Sequence, residues 1–504
     1  MHTFVRRLAR APAMGVAAIL PQICRLVCCG KCSLAGEQTK LPYPVNSRQL
    51  LSKQYGTTWI TKALRHGGAI AADDEVVAVR TNRSEVEGML SEIIICHLDY
   101  KTDGTHPQRV VVKFSPSDFK TRLTTDIFHL VRSEYNVYTR LWKPLSAIVR
   151  LPKPYFAEIN RTSNNMCLML EMVEDAEFPN QTNTADPSLE DILLIVQALG
   201  RLHARWSGDK WRGADVAFLN TTEIFVGIIG TVANKHWKKV RAVSDGACTG
   251  WTFKLPADMI ELWPQLIRNS DELCRHFCRS TTTRPNPTIG VVHGDPRLDN
   301  WFFYTPKADS ASADGGVPQK RHVGLLDWQL AGRYSVLSDL TWFVSNSLSV
   351  EFQREHEETL LRTYYAELRQ HGIAVQLELW EEEYNLSFCI TLMKSVIAAG
   401  GTDTTVPVHT MKANRFLEGV CAAWTRRGVG ETFRRFCASD LISQQARPAI
   451  NSPMACSAVR PAAVSVTPIQ VGAWTAAGMA LDSEGVAGKP APKAQYSVDS
   501  VSPF

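Results

Sequence analysis

The stretch Val291-Val292-His293-Gly294-Asp295-Pro296-Arg297-Leu298-Asp299-Asn300 runs an apolar strand straight into a polar loop. Residues 289–292 are short and apolar, which predicts a buried strand. The strand delivers one carboxylate, Asp295, and an amide, Asn300, follows five residues later. Pro296 pushes the residue before it out of the α region, so Asp295 is expected on an extended turn. A second junction of the same kind is Leu325-Leu326-Asp327-Trp328-Gln329, where apolar residues 323–326 deliver Asp327. Strand-end acids with an Asn make an oxygen-donor site for a hard cation. Mg²⁺ favours such donors and keeps several waters beside substrate phosphates. A carboxylate in the same place can accept the proton of an attacking hydroxyl.

Phosphoryl transfer asks for this set, because it leaves the protein little covalent chemistry beyond clamping, charge neutralisation and alignment. A cation for the non-transferred phosphates has to come from elsewhere in the chain. Val110-Val111-Val112-Lys113-Phe114 sets one Lys at the end of an apolar strand. A partly buried Lys needs a carboxylate partner, and Glu134, 21 residues on in an expected helix, is placed to supply it.

These residues resemble the kinase-like phosphotransferases that include aminoglycoside phosphotransferases, choline kinases and the ecdysteroid kinase-like family. His293-Gly294-Asp295 with Asn300 resembles their H-G-D variant of the protein-kinase H-R-D-L-x-x-x-N loop. Leu326-Asp327-Trp328-Gln329 stands where protein kinases carry D-F-G. Ser338-Asp339-Leu340-Thr341-Trp342-Phe343 resembles the family's D-L-x-x-F helix start, and Gly200-Arg201-Leu202-His203-Ala204-Arg205-Trp206 the helix before its catalytic loop. The likeness covers about residues 75–400.

The resemblance implies an α+β fold with two lobes, a small β-rich N-lobe and a larger, mainly helical C-lobe. It implies ATP and Mg²⁺ as cofactors and a small hydroxylated molecule as acceptor. Asp295 would be the catalytic base or the carboxylate that orients the nucleophile, and Arg297 would reach the transferring phosphate or brace the loop. Asn300 and Asp327 would hold the metal. Lys113, paired with Glu134, would hold the other phosphates, and the adenine would lie near Leu170, Glu171 and Met172. His293 is expected to brace the loop, Asp339 to cap its helix and fix the Asp327 segment, and His203 and Trp206 to be core. The poorest match is the phosphate-covering loop, where Gly88 is the one glycine between Arg80 and Glu92. A nucleotide-binding or scaffolding protein without turnover is therefore the alternative. A protein-substrate kinase is disfavoured, because Gly294 replaces the Arg and no A-P-E follows Asp327.

The remainder of the chain sets the boundaries. Residues 51–172 are expected to form the N-lobe and 173–440 the C-lobe. Strands are expected over 76–80, 92–98, 109–114 and 166–172, and one helix over 125–142, where apolar residues recur at helical spacing. Ser188 and Asp191 form a capping-box arrangement before a helix, and later helices are expected at 255–278, 336–347, 351–371 and 376–398. The acids Glu378, Glu381, Glu382 and Glu383 read as a solvated face.

Residues 441–504, rich in Ala, Ser, Val, Pro and Gly, are expected to be largely disordered. Residues 1–50 form an N-terminal extension. Within the first forty, Arg6, Arg7, Arg10, Arg25, Lys31 and Lys40 stand against Glu37 alone, which accounts for the whole net charge of +5. Its apolar stretch is too short to span a bilayer. It suits a mitochondrial presequence, a secretory signal, an S-acylated membrane contact through Cys24, Cys28, Cys29 and Cys32, or an untargeted tail, with the cytoplasm favoured. A composition of 45% hydrophobic and 21% charged residues is that of a globular chain, long enough that its 13 cysteines need not be disulfides. Nothing in the charge distribution calls for nucleic acid.

Overall fold

The computed structural model describes residues 41–82, 90–180, 185–246, 251–280, 286–306, 320–402 and 407–445. The glycine-poor loop, most of the segment between residues 305 and 320, the basic N-terminal forty and the chain beyond 445 lie outside them. Within the described residues the expected two-lobed α+β architecture is present.

The small lobe is one antiparallel sheet of β1 (Val76–Asn82), β2 (Glu92–Tyr100), β3 (Arg109–Phe114), β4 (Pro154–Ile159) and β5 (Met166–Glu171), in the order β1-β2-β3-β5-β4. Side chains alternate across a strand, and β3 uses this to do two jobs. Val110, Val112 and Phe114 are buried in a cluster with Trp59, Ile60, Ala63 and Leu64 of the helix Gly56–His66. Val111 and Lys113 face the other way, toward the large lobe. The chain just before that helix belongs to the same lobe: Leu50 is buried in the cluster, and Leu41 and Tyr43 pack against it.

The single helix expected over 125–142 is instead a broken series. It comprises Phe119–Ile127, Leu130–Asn136, a π-turn Val137–Leu141 and Trp142–Ser146. Asp118 caps the first piece by accepting the Thr121 amide at 2.9 Å, and His129 breaks the chain with a left-handed φ of 53°. Pro144 lacks an N–H and its ring crowds the carbonyl four residues back. The wider π-turn just before it accommodates both. Apolar spacing runs through these interruptions unchanged, so periodicity alone joins them.

The large lobe carries β6 (Asn220–Thr221), β7 (Ile289–Val292), β8 (Trp301–Tyr304), β9 (His322–Leu325) and β10 (Gly332–Ser335). They form a small β6-β10-β7 sheet and a β8-β9 hairpin. Around them pack the helices Leu189–Arg205, Ile229–Ser244, Ala257–Arg268, Ser270–His276, Leu337–Ser347, Val350–Gln370, Leu377–Gly401, Pro407–Arg427 and Val429–Gln445. Ser188 caps the first of these, accepting the Asp191 amide at 3.1 Å. Leu337–Ser347 is buried along its whole length and forms the floor under the loop after β7. The helix Val429–Gln445 carries regular structure past residue 441, where the C-terminal tail was expected to begin. Of the four acids read as a solvated face, Glu383 is buried and meets His276 at 2.5 Å. The described cysteines, Cys96, Cys167, Cys274, Cys278, Cys389, Cys421 and Cys437, are all buried. Among the described residues no helix is long and apolar enough to cross a membrane.

Candidate active site

The end of β3 and the end of β9 meet across the lobes. Lys113 Nζ donates to Glu134 Oε1 at 2.6 Å and to Asp327 Oδ1 at 3.2 Å. Lys113 and Glu134 are buried, while the Asp327 side chain is one-third exposed. Burial alone would lower the Lys113 pKa; the two carboxylates outweigh it and hold the ammonium charged well past neutrality. For Asp327, burial raises the pKa, and Lys113 followed by Arg297 bring it below the usual carboxylate range. Asp327 adopts φ 61° and ψ 70°, a left-handed conformation that Asp tolerates better than most residues. Gln329 Nε2 then reaches across to Ser91 Oγ at 3.2 Å, a further tie between the lobes.

Asp295 lies on the loop that β7 delivers. Its Oδ1 accepts Trp342 Nε1–H at 2.7 Å. Its Oδ2 has only the longer approaches of Arg297 Nε at 3.6 Å and Asn300 Nδ2 at 3.5 Å. One carboxylate oxygen is thus held closely and the other only by these longer contacts. Asn300 spends its Nδ2 on the Asp295 carbonyl at 2.8 Å, so Oδ1 is the atom of this side chain that could hold a metal. Arg297 is charged beyond its ordinary range chiefly by the adjacent Asp295, against burial. The donors offered by Asp327 and Asn300 are hard oxygens, as Mg²⁺ requires. Among the described residues no group of three or more His, Cys, Asp or Glu side chains is set to hold a metal by itself.

Three buried groups shape the loop. His293 accepts the Asp295 amide on Nδ1 at 3.2 Å and donates from Nε2 to the Leu326 carbonyl at 2.8 Å. The ring is therefore the neutral Nε2–H tautomer, and burial lowers its pKa. It braces the loop, as expected. Asp339 differs from expectation. Val336, not Asp339, occupies the cap position of its helix. The carboxylate instead accepts the His293 amide at 2.6 Å and the Gly294 amide at 2.8 Å, with His203 Nε2 at 3.3 Å. His203 is core, as expected, and is held on its other nitrogen by the Tyr364 hydroxyl at 2.7 Å.

Gly294 explains why the loop reads H-G-D. Its φ is +85°, and a Cβ there would overlap the Leu330 backbone carbonyl. No side chain fits, least of all the Arg of a protein-kinase loop. Gly294→Ala is expected to cost about 3 kcal/mol, from left-handed strain and overpacking together. Urea unfolding at neutral pH measures it, and a loss below about 1 kcal/mol would show that the loop relaxes freely.

Sequence reasoning missed Lys394 and Lys412. Lys394 Nζ donates to the Gly294 carbonyl at 2.8 Å and lies 3.9 Å from the centroid of the Trp342 ring. Its pKa is lowered by burial, with Asp295 and Asp339 opposing. Lys412 pairs with Asp299 at 2.6 Å. Lys394 did leave a signal, being the one basic residue in the helix Leu377–Gly401. Of the segment assigned to adenine, Leu170 is buried. The Glu171 amide donates to the Lys153 carbonyl at 2.8 Å, and its carboxylate is bound by Arg150 and the Lys153 amide. Met172 is the first residue beyond β5.

Among solved structures, the chain is similar to a microcompartment-associated aminopropanol kinase, at 16% identity over 74% of this chain and 98% of that one, with a TM-score of 0.41. It is also similar to choline kinase from Cryptosporidium parvum Iowa II, at 10% identity over 73% and 92%, TM-score 0.40. No curated protein matches the sequence. A family model does match, over residues 85–209 and 220–377. These ranges exceed half of the chain and contain Lys113, Glu134, the loop from His293 to Asn300, Asp327 and Asp339. On that match, the chain belongs to the ecdysteroid kinase-like family.

Proposed function

We propose that the protein transfers the γ-phosphate of ATP, with Mg²⁺, to a hydroxyl of a small-molecule acceptor. The observation that carries this is the meeting of Lys113 Nζ with both Glu134 and Asp327, at 2.6 and 3.2 Å, with Arg297 set between Asp327, on which its charge acts, and Asp295, 3.6 Å away. Lys113, kept charged by two carboxylates, neutralises the non-transferred phosphates. Asn300 Oδ1 and Asp327 would hold the metal, which when bound draws charge from the phosphate oxygens. Asp295 Oδ2 takes the proton as the acceptor oxygen bonds to the γ-phosphorus and the bond to the β–γ bridging oxygen breaks, releasing ADP. Trp342 holds Asp295 Oδ1, so the second oxygen stays aimed at the acceptor. Arg297, 3.6 Å from Asp295, is positioned to balance charge on the moving phosphoryl group. The backbone beyond Glu171, from Met172 on, is where a base would find hydrogen bonds, since the Glu171 amide is already used.

The test is labelled ATP with Mg²⁺ and a panel of hydroxylated metabolites, run beside Asp327→Ala. Acceptor-dependent label transfer is expected, falling about 10³-fold in the variant, since a metal-holding carboxylate acts mainly on the transition state. Binding of Mg-ATP without transfer to any acceptor would favour the nucleotide-binding scaffold. No binding of Mg-ATP would overturn both readings.

A further inference from the structure

The turn between β4 and β5 contains a buried polar centre that the chemistry above does not use. Asn164 is 2% exposed and left-handed, with φ 54°, and each of its polar atoms is engaged. Its amide donates to the Asn160 carbonyl at 2.7 Å. Its carbonyl accepts Ser115 Oγ–H at 2.7 Å. Its Oδ1 accepts Arg132 Nε–H at 2.7 Å, and its Nδ2 donates to Asp126 Oδ1 at 3.0 Å. The places these bonds reach are what matter. Ser115 is two residues after Lys113 on the chain leaving β3. Arg132 is two residues before Glu134 on the helix Leu130–Asn136. Asp126 lies on the helix before it, across the left-handed break at His129.

That break cuts the helix carrying Glu134 off from the one before it, while on its other side the chain runs on in helical turns through Ser146. At its N-terminal end its register on the sheet is set by side-chain contacts. Arg132 supplies a second one from the same turn, donating Nη2 to the Arg161 carbonyl at 2.8 Å. Arg122 anchors the preceding helix to it through the Ser163 carbonyl and Asn165 Oδ1.

We propose that Asn164 is a positioning residue for the Lys113–Glu134 ion pair, so that the β4–β5 turn sets the affinity for Mg-ATP from outside the cleft. This rests on the nucleotide-site reading of Lys113. One residue bonded toward both ends of the pair, by its carbonyl to Ser115 and by its side chain to Arg132 and Asp126, fixes the separation of its partners. Loosening it lets Glu134 draw back and leaves the ammonium of Lys113 to Asp327 alone, the group the metal needs.

Asn164→Gly is the informative variant, because glycine keeps the left-handed backbone at no steric cost and removes both amide contacts. The measurement is the dissociation constant of Mg-ATP, by titration calorimetry, for wild type, Asn164→Gly, Lys113→Met and the double variant. Asn164→Gly is expected to weaken binding about tenfold, and Lys113→Met likewise. In the double variant the Asn164 change should cost less than twofold more, since residues acting through one interaction are not additive. A role confined to stabilising the lobe would leave the constant within twofold of wild type, or would cost as much with Lys113 absent. Either result overturns the proposal. If Lys113→Met binds as wild type does, the nucleotide-site reading itself fails. If only Asn164→Gly is silent, that reading stands and this proposal falls.

Discussion

Asp295→Asn should lower phosphoryl transfer by about 10²–10⁴-fold, the range general-base catalysis contributes, while Mg-ATP binds within about threefold of wild type. The isosteric amide keeps an oxygen for Trp342 Nε1, now 2.7 Å from Oδ1. The loop also retains its other supports, the Asn300 bond to the 295 carbonyl and the His293 contact to the 295 amide. What disappears is the atom able to take a proton. Asn cannot act as a base, and its NH₂ would face the acceptor hydroxyl and Arg297, a donor turned toward donors. Lys113 and Asp327 are untouched, so the nucleotide side of the cleft should be intact. Initial rates at saturating Mg-ATP, set beside a binding titration, separate the two effects. A rate within tenfold of wild type would remove Asp295 from the chemistry, and weakened binding with an unchanged rate would make it a ground-state contact.

The strand-to-loop junctions were legible because their signals are local. A short apolar run ending in an acid reads the same in sequence as in the fold, and this held for β7 with Asp295 and for β9 with Asp327. Lys113 was legible for a similar reason, as the one charge in Val110–Phe114, which alternation places opposite the valines that face the Gly56–His66 helix. Glu134 was found as an acid in the helix expected after β3, 21 residues beyond Lys113, although that helix starts earlier, at the Asp118 cap, and is interrupted by His129 and the π-turn ahead of Pro144. Caps and turns of that kind leave the apolar spacing intact. Contacts set only by tertiary packing were not legible. Lys394 meets a carbonyl 100 residues upstream, and Asn164 joins segments on either side of the Lys113–Glu134 pair. Asp339 was read as a helix cap because that is the partner nearest in sequence. The folded chain instead turns its carboxylate to amides 45 and 46 residues earlier.

Those two amides make Asp339→Asn the most damaging single substitution for the loop. Asp339 is 1% exposed, and each oxygen accepts a backbone N–H of the loop that carries Asp295. In the amide variant one oxygen is replaced by an NH₂, which cannot accept either bond. One loop N–H is then buried opposite a donor, at a cost of about 1–3 kcal/mol, and a charge-assisted bond worth about 1.5–3 kcal/mol is lost besides. Unfolding in urea at pH 7 should show a loss of about 3–5 kcal/mol, with transfer reduced at least 100-fold as His293 and Asp295 shift. The pH dependence identifies the cause. Burial by itself would raise the Asp339 pKa. The hydrogen bond from His203, the neighbouring His203 and His293 rings and the His293 amide together carry it below the usual carboxylate range. With the folded pKa below the unfolded one, the unfolded chain binds more protons between the two, so stability rises with pH across that interval. Wild type therefore holds this contribution above the unfolded value of about 4 and loses it as pH falls through the folded value. The gap between wild type and Asp339→Asn should be full at pH 7 and narrow progressively below about pH 4. A gap that stays constant from pH 7 to pH 3 would mean that the variant fails through packing, and that the charge on Asp339 does not hold the loop that carries Asp295.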